Sequence, residues 1–218
     1  MKHNLQDVYV YVSTGSTNRG KLYSDRWEYT PTAAENFEIT IHFEDHDYNL
    51  IGNYVFSVVI KNQSSKTSAN VIVIGDSTVN GNTVGQSNGA FETKKMLDLA
   101  AADNFSLTMM GTRGSGTNLH EGYPGWASNH FTGNASQNSL SNPFYNSGFD
   151  FSYYMNNNHA GKTVDCVFIQ LGTNDLVVQK TDSDLESRIA SFVSNIDKMV
   201  TSIHKYNSGI KVVINLIL

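Results

Sequence analysis

The chain has 218 residues, 39% of them hydrophobic and 11% aromatic, and a net charge of −5 at pH 7. That is enough apolar material for a packed core, and it excludes a globally disordered chain. Lysine and arginine total 15 against 20 acidic residues and form no cluster, which argues against nucleic acid or an anionic membrane surface as the partner. Cys166 stands alone, so no intrachain disulfide can form, and its place in an apolar run suits an inert core thiol. No run approaches the roughly 18 apolar residues of a membrane span. The opening Met1-Lys2-His3-Asn4-Leu5-Gln6-Asp7 lacks the apolar stretch of a secretion signal. The chain is therefore expected either to be cytoplasmic or to begin after its targeting segment.

Residues 1–65 alternate as half-buried strands do, in Val8–Val12, Phe37–Phe43 and Tyr54–Ile60, with Gly, Asn and Asp between the runs. This predicts a small antiparallel β-rich module. The polar stretch Lys61–Asn70 reads as a linker. Beyond it, strand-like runs at 71–74, 106–110, 164–171 and 210–218 are interleaved with helical patterns. Phe91–Ala102 is rich in helix formers. Leu185, Ile189, Phe192, Val193, Ile196, Val200 and Ile203 recur as one helical stripe. Ser183 with Glu186 reads as a capping box at its start, and Asn207–Gly209 as its stop. Strands alternating with helices predict an α/β domain over 66–218 with a parallel sheet. Residues 112–163, rich in Gly, Asn, Ser and aromatics, show little periodicity and read as a long functional loop over the carboxyl end of the sheet.

Three short blocks carry the chemistry. Val71-Ile72-Val73-Ile74-Gly75-Asp76-Ser77 delivers a hydroxyl to the turn after a buried strand, where open α/β sheets place their ligands. A serine there can act as a nucleophile if a base takes its proton and donors hold the developing oxyanion. Gly111 follows the strand at 106–110, where a backbone N–H can approach a ligand closely. Gly172-Thr173-Asn174-Asp175 ends the strongest strand, and an asparagine amide can donate to an oxyanion without carrying charge. Taken singly, each block also fits a plain turn: an Asp76 cap, a glycine that turns the chain, an Asx turn.

Taken together, the order of the three blocks resembles the SGNH hydrolases, the GDSL-type esterase and lipase superfamily, over about residues 70–218. The resemblance implies a flavodoxin-like three-layer sandwich in which Ser77 is the nucleophile and Ser77, Gly111 and Asn174 form the oxyanion hole. His120-Glu121-Gly122-Tyr123-Pro124-Gly125-Trp126 is similar to a segment found in carbohydrate-acting members. It implies a substrate-binding role for Glu121, Tyr123 and Trp126; the alternative is that the aromatic pair plugs the loop against the core. The family's Asp-x-x-His block, which supplies the base, is absent from the chain. His120, His130, His159 and His204 are the substitutes to consider, and His120 is the one that adjoins a motif. The expectation is an incomplete SGNH domain, with the base supplied by later residues or by a second polypeptide, and a chain that is nearly inactive alone.

No metal-ligand spacing is present and no cofactor is expected. Gly111–Gly116 lacks both the P-loop ending and the dinucleotide spacing. The expected function is hydrolysis of short, acetyl-type esters, on a small molecule or a neutral carbohydrate. The rivals are a noncatalytic carbohydrate-binding or structural module, and a lipase or thioesterase of the same fold.

Overall fold

The structure is a computed structural model, and it describes residues 8–23, 26–60, 67–81, 91–133, 136–137, 140–177 and 181–216. The chain divides into two compact units, 1–65 and 66–218.

In the first unit, β1 (Tyr9–Ser13), β4 (Glu35–Glu44) and β5 (Leu50–Ile60) form an antiparallel sheet in the order β1-β4-β5. The short strands β2 (Lys21–Leu22) and β3 (Trp27–Glu28) form a separate hairpin. Alternation places Phe37, Ile39, Ile41 and Phe43 of β4 on one face, opposite Val58, Phe56, Tyr54 and Gly52 of β5. Arg19 ties this unit together. It lies 4.6 Å over the Phe37 ring and pairs with Glu35 at 2.8 Å.

The second unit is α/β with a mostly parallel sheet. β6 (Ser68–Gly75) is central. The β7 strand (Ser106–Met110) runs parallel to the first part of β6, from Ser68 to Ile72. A further strand, β9 (Asn118–Gly122), takes up the same edge at Ile74–Gly75 and pairs antiparallel with β8 (Arg113–Ser115). On the other edge, β12 (Cys166–Leu171) and then β13 (Lys211–Leu216) continue in parallel. The two faces of β6 carry separate cores. Ile72 and Ile74 pack with Val167, Ile169 and Leu171, whereas Val71 and Val73 pack with Val79 and Met109.

Helices cover these cores. α1 (Ser77–Asn80) and α2 (Phe91–Ala102) follow β6, and Val79, Met96 and Leu97 join the smaller core. After β9, α3 (Ser128–Thr132), the short hairpin β10 (Ser136–Gln137) and β11 (Leu140–Ser141), and α4 (Phe151–Asn158) follow in chain order. α5 (Thr173–Leu176) follows β12, and α6 (Asp182–Tyr206) lays Phe192, Ile196, Met199 and Ile203 on the larger core. None of the described helices is long and apolar enough to cross a membrane.

Several sequence expectations are corrected here. The stretch 112–163 is not one irregular loop, because it contributes β9 to the main sheet and α3 and α4 to the larger core. Elements of five to eight residues are too short to show a period. Of the linker expected over Lys61–Asn70, residues 61–66 lie outside the described residues, while Ser68–Asn70 already belong to β6. The α6 cap is Thr181, whose hydroxyl accepts from Asp184 N–H at 3.1 Å, and not Ser183. Ile189 and Val193 are exposed, at 43% and 57%, and the side chains that α6 buries in the core begin at Phe192.

Candidate active site

β6 and β12 are adjacent parallel strands, so the turns after them emerge side by side at the carboxyl edge of the sheet. Ser77 opens α1 in the first of these turns and Asn174 sits in α5 in the second. Glycines make both turns possible. A Cβ on Gly75 would run into the Val79 side chain and, at 2.7 Å, into the Gln170 carbonyl. Gly172 adopts φ 130°, where a side chain is strained.

Asp76 joins the two turns. It is 2% exposed and caps α1, with Oδ1 accepting from the Thr78 N–H (2.9 Å) and hydroxyl (2.8 Å). Its Oδ2 lies 3.4 Å from Asn174 Nδ2. The same amide donates to the Trp126 carbonyl at 2.9 Å, so one Asn174 N–H is firmly held and the other makes only the long contact. The N–H of Ser77 has no acceptor within α1, as in the first turn of any helix.

Gly111 follows β7, and a Cβ there would fall on the His120 backbone. The turn it begins thus lies directly against β9, whose Gly122 is in register with Gly75 of β6. Tyr123 N–H continues the pairing to the Gly75 carbonyl at 2.8 Å. The blocks around Ser77, Gly111 and Asn174 are therefore all tied to the end of β6.

The expected substrate face of Glu121, Tyr123 and Trp126 is corrected. Their exposures are 0%, 3% and 0%. Tyr123 and Trp126 stack on each other with ring centroids 4.3 Å apart, and both pack edge-on against Phe131. Arg113 covers Tyr123, 4.9 Å from the ring centroid. The apolar faces that a sugar would need are already used by the core. Trp126 Nε1 is buried with no hydrogen-bond partner among the described residues.

No described histidine hydrogen-bonds to the Ser77 hydroxyl. His120 is 1% exposed and accepts from Gly122 N–H at Nδ1. Burial, with a smaller contribution from the nearby Arg113 charge, lowers it to about 4. His130 Nδ1 accepts from Ala127 N–H, and His204 Nε2 contacts the Ile210 carbonyl at 3.2 Å. His159 Nε2 contacts the Tyr154 hydroxyl at 3.0 Å, and burial lowers its pKa. Burial pushes the Cys166 thiol up, against a nucleophilic role. No group of His, Cys, Asp and Glu among the described residues could hold a metal ion.

Beside Asn174 an open groove of about 870 Å³ runs along α6, lined by Asn129, His130, Asp175, Arg188 and Asn195 among others. The Asp175 carboxylate is anchored by the Ser128 hydroxyl (2.5 Å) and N–H (3.1 Å), which fixes α3 to α5. Neither Ser77 nor Gly111 lines this groove, and sequence reading did not anticipate it, since its residues come from three separated segments.

No family model matches the sequence, and no curated protein is similar to it. Among solved structures, a family 3 carbohydrate esterase from Clostridium thermocellum is similar at 19% identity and a TM-score of 0.36, over 68% of this chain and 78% of that one. An active-site mutant of a family two carbohydrate esterase from the same organism is similar at 15% identity and TM-score 0.39, over 78% of this chain but 50% of its own length. A carbohydrate esterase whose active site is described as having divergent catalytic and non-catalytic binding functions is similar at 14% identity and TM-score 0.41, over 95% of this chain and 78% of that one. At these values the likeness assigns no role to any residue here.

Proposed function

We propose that the second unit is a serine esterase of the SGNH type, a flavodoxin-like three-layer domain that hydrolyses short acyl esters, with the first unit as its accessory module. The observation that carries the reading is the meeting of Ser77 and Asn174 at the ends of adjacent parallel strands, joined through Asp76. Ser77 Oγ attacks the ester carbonyl as its proton passes to a base. The N–H groups of Ser77 and Gly111 hold the oxyanion, together with the second Asn174 N–H as it gives up its long contact to Asp76. Collapse of the tetrahedral intermediate releases the alcohol, which takes the proton back from the base. Water, deprotonated by the same base, then frees the acyl group and restores Ser77. No described histidine hydrogen-bonds to Ser77, and in this reading the base is the histidine that the resemblance implies, outside the described residues, with a second chain as one source.

The substrate class follows the same reading: an acetyl-type ester on a small molecule or carbohydrate. The groove beside Asn174 offers Asn129, Asp175, Arg188 and Asn195 as hydrogen-bonding groups that suit a hydroxylated alcohol. The buried Tyr123 and Trp126 weigh against a noncatalytic module built on an aromatic platform. The test is hydrolysis of p-nitrophenyl acetate by the full natural polypeptide. Ser77→Ala is expected to remove at least about 1,000-fold of kcat; turnover unchanged in that variant overturns the reading.

A further inference from the structure

We propose that Glu121 is a positioning residue: its buried carboxylate fixes the Gly111–Thr112 turn against the strand that delivers Ser77. The inference rests on the esterase reading for the role of Gly111, and it replaces a substrate contact with an internal one.

Both oxygens of Glu121 are committed inside the protein. Oε1 accepts from the Thr112 N–H and from the Tyr154 hydroxyl at 2.7 Å. Oε2 accepts from the Thr112 hydroxyl at 3.0 Å and the Tyr123 hydroxyl at 2.8 Å. Four donors match the four acceptor sites of a carboxylate, so none is left to face a ligand. They come from three segments: the turn after β7, the turn after β9, and α4. Thr112 gives two of the four, and the peptide plane just past Gly111 is thereby clamped.

The backbone of Glu121 completes the coupling. It is in register with Ile74 of β6, one residue before Gly75 and three before Ser77. One residue therefore joins the nucleophile's strand through its main chain to the Gly111 turn through its side chain. A carboxylate is an expensive choice for a fully buried position. Burial pushes it above the usual carboxylate range, while the Tyr154, Tyr123 and Thr112 hydrogen bonds oppose that shift. An apolar residue would fill the space but would leave the two Thr112 donors and two tyrosine hydroxyls without their acceptor.

The network continues one step further. Since the Tyr154 hydroxyl donates to Glu121, its oxygen is free to accept, and the 3.0 Å contact to His159 Nε2 is then an N–H donation. This places a proton on His159 Nε2. The chain from His159 through Tyr154 to Glu121 polarises in one direction, which strengthens each bond in it.

The test compares Glu121→Ala, Glu121→Gln and Tyr154→Phe in the full natural polypeptide by two readouts: Ser77-dependent hydrolysis of p-nitrophenyl acetate, and the Thr112 amide resonance. Glu121→Ala is expected to lower kcat about 10- to 100-fold with KM within about twofold, as for a disturbed oxyanion donor, and to shift the Thr112 amide upfield. Glu121→Gln should recover most of the rate. Its carbonyl can still accept from Thr112 N–H, and hydroxyls can rotate to accept from its NH2. Tyr154→Phe keeps the stack on Phe144, at 4.1 Å, and should fall between the two. Equal kcat in Glu121→Ala and the parent, or a Thr112 amide unmoved in Glu121→Ala, overturns the proposal. Should that variant not fold, an unchanged rate and an unchanged Thr112 amide in Tyr154→Phe overturn it instead. If Ser77→Ala leaves hydrolysis intact, the esterase reading fails, and the amide readout alone decides whether Glu121 sets the turn.

Discussion

His120 occupies a buried position that disfavours charge. It is enclosed at the start of the Glu121 network, with the Arg113 guanidinium close enough to lower it further. Its folded-state value of about 4 lies below the ordinary 6.5. The unfolded chain therefore binds the proton first, and the stability that neutral His120 brings is present above about pH 6.5 and lost as pH falls toward 4. His159 shifts in the same direction. His120→Asn keeps an acceptor for Gly122 N–H and removes the titration. Between pH 6.5 and 4 its melting temperature should fall less steeply than the parent's; parallel curves would show that His120 is not protected from protonation. Glycine carries a comparable constraint nearby. Gly122 faces the Asn80 backbone, with a Cβ only 2.5 Å from its nitrogen. Gly122→Ala should cost about 1–3 kcal/mol or more in denaturant melts, since the obstacle is main chain and cannot rotate away.

At the scale of elements, α6 shows how local signals compete. Ser183 and Glu186 have the spacing of a capping box, but Thr181 caps the helix, two residues earlier, with Asp182 and Asp184 in the first turn. Thr181→Ala should therefore lower stability by about 1 kcal/mol and Ser183→Ala by a few tenths at most. The reverse order in urea melts would contradict the observed cap. The buried strands 71–74 and 166–171 and the second half of α6 were legible because each repeats one pattern over several residues. The turns that carry Ser77, Gly111 and Asn174 were legible as strand ends, since each follows the last residues of β6, β7 or β12. The fate of Glu121, Tyr123 and Trp126 was not. A Gly-rich segment with aromatics reads alike whether its rings face solvent or core, and only the packing of Phe131 and Arg113 on Tyr123 and Trp126 decides it. Likewise β9 contacts β6 through only two residue pairs, too few to leave a periodic trace.

For the whole molecule, a mostly parallel sheet with cores on both faces presents a serine and an asparagine at one edge, the arrangement proposed to carry acyl transfer. On the acetyl-ester reading, activity should fall steeply from acetyl to octanoyl p-nitrophenyl esters; a rate that rises with chain length would favour a lipase-type enzyme. The measurement that reaches the claim most directly is covalent. A short organophosphonate ester offered to the full natural polypeptide, followed by peptide mass spectrometry, should leave its adduct on Ser77, with labelling abolished in Ser77→Ala. Labelling that spares Ser77, or that persists in Ser77→Ala, would contradict the account.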